Sequence, residues 1–465
     1  MKPETPGGGS TAASLDGRHF QFEGGRGATF DPGGFVTLRS HEGSAQLGQV
    51  HDVILGKRGT IHGTGTILGV IMEGRVDDSR PVTFATAQME KADAATFELL
   101  YGDTGQLLHI GSHLGSEGTP AHLLPRRFNR HTFWCGQSGS GKTYALGVVL
   151  EQLLVCTRLP IVVLDPNADF VKLREPSGSE DSDESRILSE RNIRILRPSS
   201  PNTEPLRVRY LDLPVRAKAA ILRLDPLENR AEYNELMHLE ETLGTMDTAK
   251  IVPRLRERGT GTSAALAARI ENLRLTDWSV WAGKLEPVTE VINARPDATV
   301  LDLGGFEFPD ESLVVAMAVL EDLWARREER RPILIVIDEA HNLCSPDETS
   351  PLHVAVRERI IQIAAEGRKF GLWLLLSTQR PSRIHSSIIS QCDNLALMKM
   401  TSPIDLDELA RIFGFVPLAM LARSPRFRQG EALFAGSFVP APTMVTMGAR
   451  LTREGGADVG VPFRT

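Results

Sequence analysis

The apolar residues of this chain change rhythm near residue 131. From about Phe20 to Tyr101 they come in short runs broken by glycine: "GGFVTLRS", "AQLGQVHDVILG", "GTILGVIMEG" and "PVTFATAQME". Short extended runs separated by turn residues predict a small β-barrel or sandwich, assigned here to residues 17–115. The preceding stretch, "MKPETPGGGSTAAS", is rich in Gly, Pro, Ser and Thr and poor in large apolar groups, so residues 1–16 are predicted to be a mobile tail.

From His131 onward, buried runs alternate with longer helical patterns. "HTFWCG" reads as a strand, followed by a helix from Lys142 to Thr157. Ala145, Val148, Val149, Leu153 and Cys156 line one side of it, and Leu146, Leu150 and Leu154 the other, which suits a helix packed between layers. Further strands are predicted at Ile161–Asp165, Asn192–Leu196, Thr299–Leu303, Ile333–Asp338, Leu372–Ser377 and Leu395–Lys399. Their unbroken hydrophobicity suits a parallel sheet covered on both faces, hence an α/β core over residues 116–206 and 292–447. Residues 207–291 read as helices inserted between two strands, and 448–465 as a C-terminal tail. The helix Asp310–Arg327 puts Leu313, Met317, Leu320 and Trp324 on one face, a core stripe. The "RREERR" cluster at its end matches the negative pole of a helix, and Glu180–Glu184 reads as a solvated acidic loop.

With 465 residues, 41% of them hydrophobic and 24% charged, the chain has material for two or three cores. A net charge of -7 argues against a uniformly basic nucleic-acid coat but leaves a local basic channel open. The four cysteines form no CxxC pair, so neither a zinc knuckle nor a disulfide framework is predicted. No run approaches the roughly 18 apolar residues of a membrane span, and the N-terminus lacks a signal-peptide core, so a soluble cytoplasmic protein is expected.

The chemistry concentrates in "GQSGSGKT", Gly136 to Thr143, which satisfies G-x-x-x-x-G-K-[ST] after a strand and at the start of a helix. Gly136, Ser138, Gly139, Ser140 and Gly141 supply backbone N–H groups that turn toward phosphate oxygens. Lys142 reaches the β and γ phosphates of ATP, and Thr143 offers a hydroxyl to Mg2+. Asp338 and Glu339 end another buried run: the first suits the metal, the second the attacking water. Gln379, after the next strand, is placed to sense the γ phosphate. In "EGRKFG" Gly367 ends a helix and Arg368 projects from the turn, the candidate finger for a neighbouring subunit, with Arg383 in reserve. Arg130, ahead of the phosphate-loop strand, is a second candidate contact to phosphate. His341 beside Glu339 reads as a structural neighbour rather than a metal ligand. Outside these motifs no spare set of acids with Lys, and no His-rich set, suggests a nuclease within the chain.

Strands between the phosphate loop and Asp338, with Glu339 adjacent, resemble the RecA-like and AAA-type division of P-loop ATPases. "RHTFWCGQSGSGKT", "VVLDPNADF", "VLDLGGF", "ILIVIDEAHNL", "EGRKFGLWLLLSTQRPS" and "ALFAGSFVPAPTMV" together resemble the HerA-type ATPases of the HerA and FtsK group. That resemblance implies a homohexameric ring around double-stranded DNA, a RecA-like core behind a barrel shared with rotary ATP synthase subunits, and a C-terminal segment bracing neighbouring subunits. It also implies a separate partner, a NurA-like nuclease or an anti-phage effector. In such a motor Arg254 to Arg258 and the inserted helices are candidates for DNA phosphate contacts. Two further readings stay open at this point: an ATP-gated ring scaffold that regulates an effector with little translocation, and a membrane-coupling ATPase, against which the missing span counts.

Overall fold

The computed structural model describes residues 9–456 except 26, 42, 57–58, 103–104, 115–117, 179–181, 199–202 and 244–247. The chain forms two compact units. One takes the chain up to Arg127, Cys135–Ala145 and Asn394–Ala449; the other takes Phe128–Trp134, Leu146–Asp393 and the chain from Arg450.

In the first unit a ring of strands runs in the order His19–Gly24, Ser10–Ser14, Phe84–Lys91, Phe35–Ser40, Gln46–Leu55 and Ile61–Met72. The last pairs back onto the first, Phe20 opposite Gly65, and closes a barrel around Phe20, Phe22, Val36, Leu38, Val50 and Met89. The barrel reading of the sequence thus holds over the sandwich. Its glycines, however, are not only punctuation. Gly63 and Gly65 lie inside a strand, where an added Cβ would fall 2.5 and 2.3 Å from the Phe22 and Phe20 rings. The aromatic core needs bare backbone there.

Two expected boundaries move. Residues 1–8 of the expected tail lie outside the described residues, but Ser10–Ser14 is a strand, Ala12 lying between Phe22 and Ala87. Its small residues alternate inward and outward, a pattern that composition conceals. At the other end, Leu108–His113 is not a barrel strand. It pairs with Thr443–Met447 and Pro120–Leu123, in an antiparallel group that continues through Glu431–Gly436 to Cys392–Leu397. The strand expected at Leu395–Lys399 spans Cys392–Leu397 and pairs antiparallel with Glu431–Gly436.

The second unit carries the parallel sheet, in the order Glu204–Pro205, Ile193–Arg197, Ala298–Asp302, Ile161–Asp165, Ile333–Ile337, Leu372–Thr378 and His131–Cys135. Val163 sits between Val300 and Val336, all fully buried, so these strands need no polar alternation. The register aligns Asp165 with Asp302 and Leu164 with Ile337, so three aspartates, Asp165, Asp302 and Asp338, follow their apolar runs at one sheet edge.

The insertion is helical as expected, with Val215–Ile221, Arg230–Leu243, Ile251–Arg258, Gly261–Asn272 and Val288–Asn293. Helix Pro309–Ala325 buries Leu313, Met317, Leu320 and Trp324. The basic cluster behind it serves the helix end: Arg327 donates to the Trp324 carbonyl at 2.9 Å. Of the expected acidic loop, residues 180 and 181 lie outside the described residues. Asp183 and Glu184 open the helix Asp183–Ser189, capped by Ser182, where negative charge meets the positive helix pole.

From Arg450 the chain is held by a buried ion pair. Arg450 Nε donates to Glu151 Oε1 at 2.9 Å with both side chains 2% exposed or less, and the Leu451 N–H donates to Glu151 Oε2 at 2.7 Å. Gly147 makes room, since a Cβ there would lie 2.5 Å from the guanidinium carbon. Replacing Glu151 with Ala strands that cation, so Glu151→Ala should cost about 3–5 kcal/mol in a denaturant titration.

His131 is a second buried titratable group. Its Nδ1 accepts the Leu374 N–H at 2.9 Å, and burial, then the charges of Arg368 and Arg130, push its pKa down to about 4. The unfolded chain binds that proton first, so this contribution to stability is lost as pH falls from about 6.5 toward 4. Asn keeps an acceptor without a proton to gain; His131→Asn should lose less melting temperature than the parent between pH 7 and pH 4.5.

Candidate functional site

The phosphate loop belongs to the first unit and is pinned from outside. The Gln137 N–H donates to the Lys399 carbonyl at 2.8 Å, and Gln137 Oε1 accepts from Thr401 N–H and Oγ1 at 3.1 and 2.8 Å. Across the loop the Gly430 N–H donates to the Ser140 carbonyl at 3.0 Å. Gly139 and Gly141 have φ of 74° and 85°, left-handed values that glycine adopts at little cost. Gly136 has no room for a side chain, since a Cβ would lie 2.7 Å from Ser140 Oγ and 2.8 Å from Met398 Cβ. Lys142 is buried at the start of helix Lys142–Cys156, Thr143 beside it is half-buried, and Ser138 is exposed. Ser140 Oγ is buried and finds no hydrogen-bond partner among the described residues. An unpaired buried hydroxyl within a pinned, glycine-turned loop fits an anionic oxygen ligand.

The acidic edge belongs to the second unit. Asp338 is 2% exposed, and Ser377 Oγ donates to its Oδ1 at 2.7 Å. Glu339 takes a left-handed φ of 43°, unusual for a side chain of its size, and sits beside His341, whose Nδ1 is 3.2 Å from both Glu339 Oε2 and Thr378 Oγ1. His341 thus lies between Glu339 and the next strand. Gln379 follows Thr378 directly and is half-buried.

One acid at this edge has no part in the motif-by-motif reading. Asp165 is fully buried and accepts the N–H groups of Asp169 and Phe170 at 3.0 and 2.8 Å. Burial, followed by the charges of Asp338 and Asp169, pushes its pKa up to about 7. Asp165, Asp169 and Asp338 each offer a carboxylate oxygen within 4.8 Å of the others. The sequence signal was "VVLDPNADF", whose strand ends in an aspartate as the Asp338 run does.

The arginines divide between two edges of the sheet. Arg383 lines a cavity of about 350 Å3 together with Asp338, His341 and His353, on the acidic side. Arg368 lies in the turn Gly367–Phe370 that precedes strand Leu372–Thr378, while Asp338 follows the strand beside it. The paired register, Ile333 opposite Leu372 through Ile337 opposite Leu376, separates those ends by roughly 16 Å. Arg130 lies on the Arg368 side, ahead of strand His131–Cys135, and both reach Asp393. The proposed DNA contacts fare differently. Arg254, Arg256 and Arg258 pair with Glu257, Glu271 and Glu235 at 3.0, 2.6 and 2.7 Å, so each positive charge already has a local acid.

Strand Leu372–Thr378 lies between Ile333–Ile337 and His131–Cys135, the inserted strand expected of a RecA-like core. Comparison with known proteins agrees. Residues 108–320 match the family model described as "Helicase HerA, central domain". The chain is 22% identical over 461 residues to the DNA double-strand break repair helicase HerA of Pyrococcus furiosus, spanning 88% of this chain and 82% of that protein. It is 29% identical over 154 residues to the probable helicase MJ1565 of Methanocaldococcus jannaschii, which covers 32% of this chain and 29% of that protein. In structure it resembles VirB4 of Thermoanaerobacter pseudethanolicus, with a TM-score of 0.50 at 16% identity over 74% of this chain and 97% of that one, a likeness of fold. The resemblance to HerA-type ATPases and the RecA-like α/β class are borne out. Among the described residues no helix is long and apolar enough to cross a membrane.

Proposed function

We propose that this chain is an ATP-driven motor that moves double-stranded DNA through a homohexameric ring, working beside a separate nuclease or effector. The observation that carries the reading is the placement of Arg368. It lies about a strand's length from Asp338 and Glu339 of its own chain, so as a finger it serves a nucleotide held by another copy. An ATPase whose completing arginine comes from its neighbour works only when assembled.

Within that reading the residues divide the work. Gly136 to Gly141 offer backbone donors to the phosphates and Lys142 offsets their charge. Thr143 and Asp338 would hold a magnesium ion, whose charge would offset that of the phosphates. Glu339, with His341 Nδ1 3.2 Å from its carboxylate, takes the proton of the attacking water, and Gln379 hydrogen-bonds that water and the γ phosphate. Arg368 and Arg130 of the adjacent copy meet the charge that develops as the terminal phosphoryl group leaves. Support for DNA as the cargo comes from the similarity to the Pyrococcus furiosus helicase over most of both chains. The ion pairs of Arg254, Arg256 and Arg258 keep the scaffold reading in play, because they occupy the first candidates for DNA contact.

Steady-state ATP hydrolysis with and without linear duplex DNA separates the two. A motor should turn over several-fold faster with DNA, whereas a scaffold should be indifferent to it. Lys142→Ala should abolish nucleotide binding. Glu339→Gln should bind ATP near the parental affinity while kcat falls by about 100-fold or more, since it keeps the shape but loses the base.

Arg368→Ala should also keep ATP binding and lose turnover. Mixing it with Lys142→Ala should restore part of the activity, because the first variant supplies an intact pocket and the second an intact arginine. Absence of any recovery in stable mixed rings would contradict action between copies.

A further inference from the structure

Arg130 and Arg368 are distant in sequence, yet in the folded second unit they meet on one carboxylate. Arg368 Nη1 donates to Asp393 Oδ2 at 2.6 Å, and Arg130 Nη1 lies 3.7 Å from the same oxygen. All three side chains are between a third and two-fifths exposed, so the group sits at the surface rather than in the core. The turn Gly367–Phe370 presents Arg368, and Asp393 is the second residue of strand Cys392–Leu397. His131 lies beneath them and stays neutral near pH 7, which leaves the two guanidinium groups as the cations of this cluster.

We propose that Asp393 is the positioning residue of a two-arginine element that each copy presents to the nucleotide of its neighbour. This rests on the reading of Arg368 as a finger acting between copies. Two guanidinium groups side by side repel, and each long side chain carries considerable rotamer freedom. A shared carboxylate offsets the repulsion and holds one end of each fork. Among the described residues the contacts to Asp393 run through Nη1 of Arg368 and, at the longer 3.7 Å, Nη1 of Arg130, which leaves Nη2 and Nε positioned to donate to phosphate oxygens. The surface position suits this role better than a stabilising one, since an exposed ion pair contributes little to folding.

The separation of roles makes a kinetic test direct. Asp393→Asn keeps the shape and removes the charge; in the full chain with ATP and duplex DNA, kcat should fall by roughly ten-fold while KM for ATP and the melting temperature stay near parental values. Asp393→Glu, which restores the charge at a longer reach, should recover part of the loss. Arg368→Ala measured alongside separates the two ideas. If Arg368→Ala is inactive and Asp393→Asn turns over at the parental rate, the positioning role is wrong and the finger stands. If Arg368→Ala itself turns over at the parental rate, the finger reading fails and the role of Asp393 fails with it. A fall in kcat for Asp393→Asn that comes with an equal loss of melting stability would also overturn the proposal, since it would mark a structural role.

Discussion

A parallel sheet covered on both faces has no side on which a charged group can reach water, and that constraint organises the second unit. Strands such as Ile161–Asp165 and Ile333–Ile337 are apolar throughout their interiors because both faces are buried. Ionised groups are therefore driven to where the strands begin and end. One edge collects Asp165, Asp302, Asp338 and Glu339; the other collects Arg130 and Arg368 with Asp393. In the proposed motor, the acids that would handle metal and water and the Arg130 and Arg368 cations that would meet developing charge are held apart by the length of the strands themselves.

That separation also explains how burial tunes the acidic edge. Asp165, Asp169 and Asp338 crowd together where little water reaches them, and the energetic conflict appears as the raised pKa of Asp165. Backbone N–H groups of Asp169 and Phe170 relieve part of it by donating to the Asp165 carboxylate. The chain from Arg450 returns to the same loop: Gly455 donates its N–H to the Asp169 carbonyl at 3.0 Å, and a Cβ at Gly455 would fall 2.2 Å from the Ala168 carbonyl oxygen. The segment from 450 to 456 ties Glu151 to the loop behind Asp165 within its own chain.

What the sequence made legible follows from the same physics. Unbroken apolar runs ending in Asp165 or Asp338, and a glycine-rich loop between strand and helix, have few alternative explanations, so the core strands were readable to within a few residues and the glycine-rich loop at its place between strand and helix. The strand Ser10–Ser14 was not, because alanine and serine give no hydrophobic contrast even when alternately buried. Nor was the departure of Leu108–His113 from the barrel, since its partner Thr443–Met447 lies at the far end of the chain and local pattern carries no pairing information. Asp393 was hidden for a related reason. A single acid opening a strand has no motif, and its meaning appears only when two distant arginines are seen to share it.

The placement of the arginines bears on assembly more directly than any surface argument. Within one chain the strand pairing fixes Arg368 and Asp338 at opposite ends of adjacent strands, and changing that distance would require breaking the register from Ile333–Leu372 to Ile337–Leu376. Ile333, Ile337, Leu372 and Leu376 are nearly or fully buried, so a slip of one position would also disrupt close packing on both faces. A copy therefore cannot bring its own Arg368 to its own acidic edge by any small motion. Either Arg368 has no part in turnover, or turnover requires a second copy whose arginine edge meets this chain's acidic edge. Repeated head to tail, that heterologous contact closes into a ring when the rotation between copies divides the circle evenly.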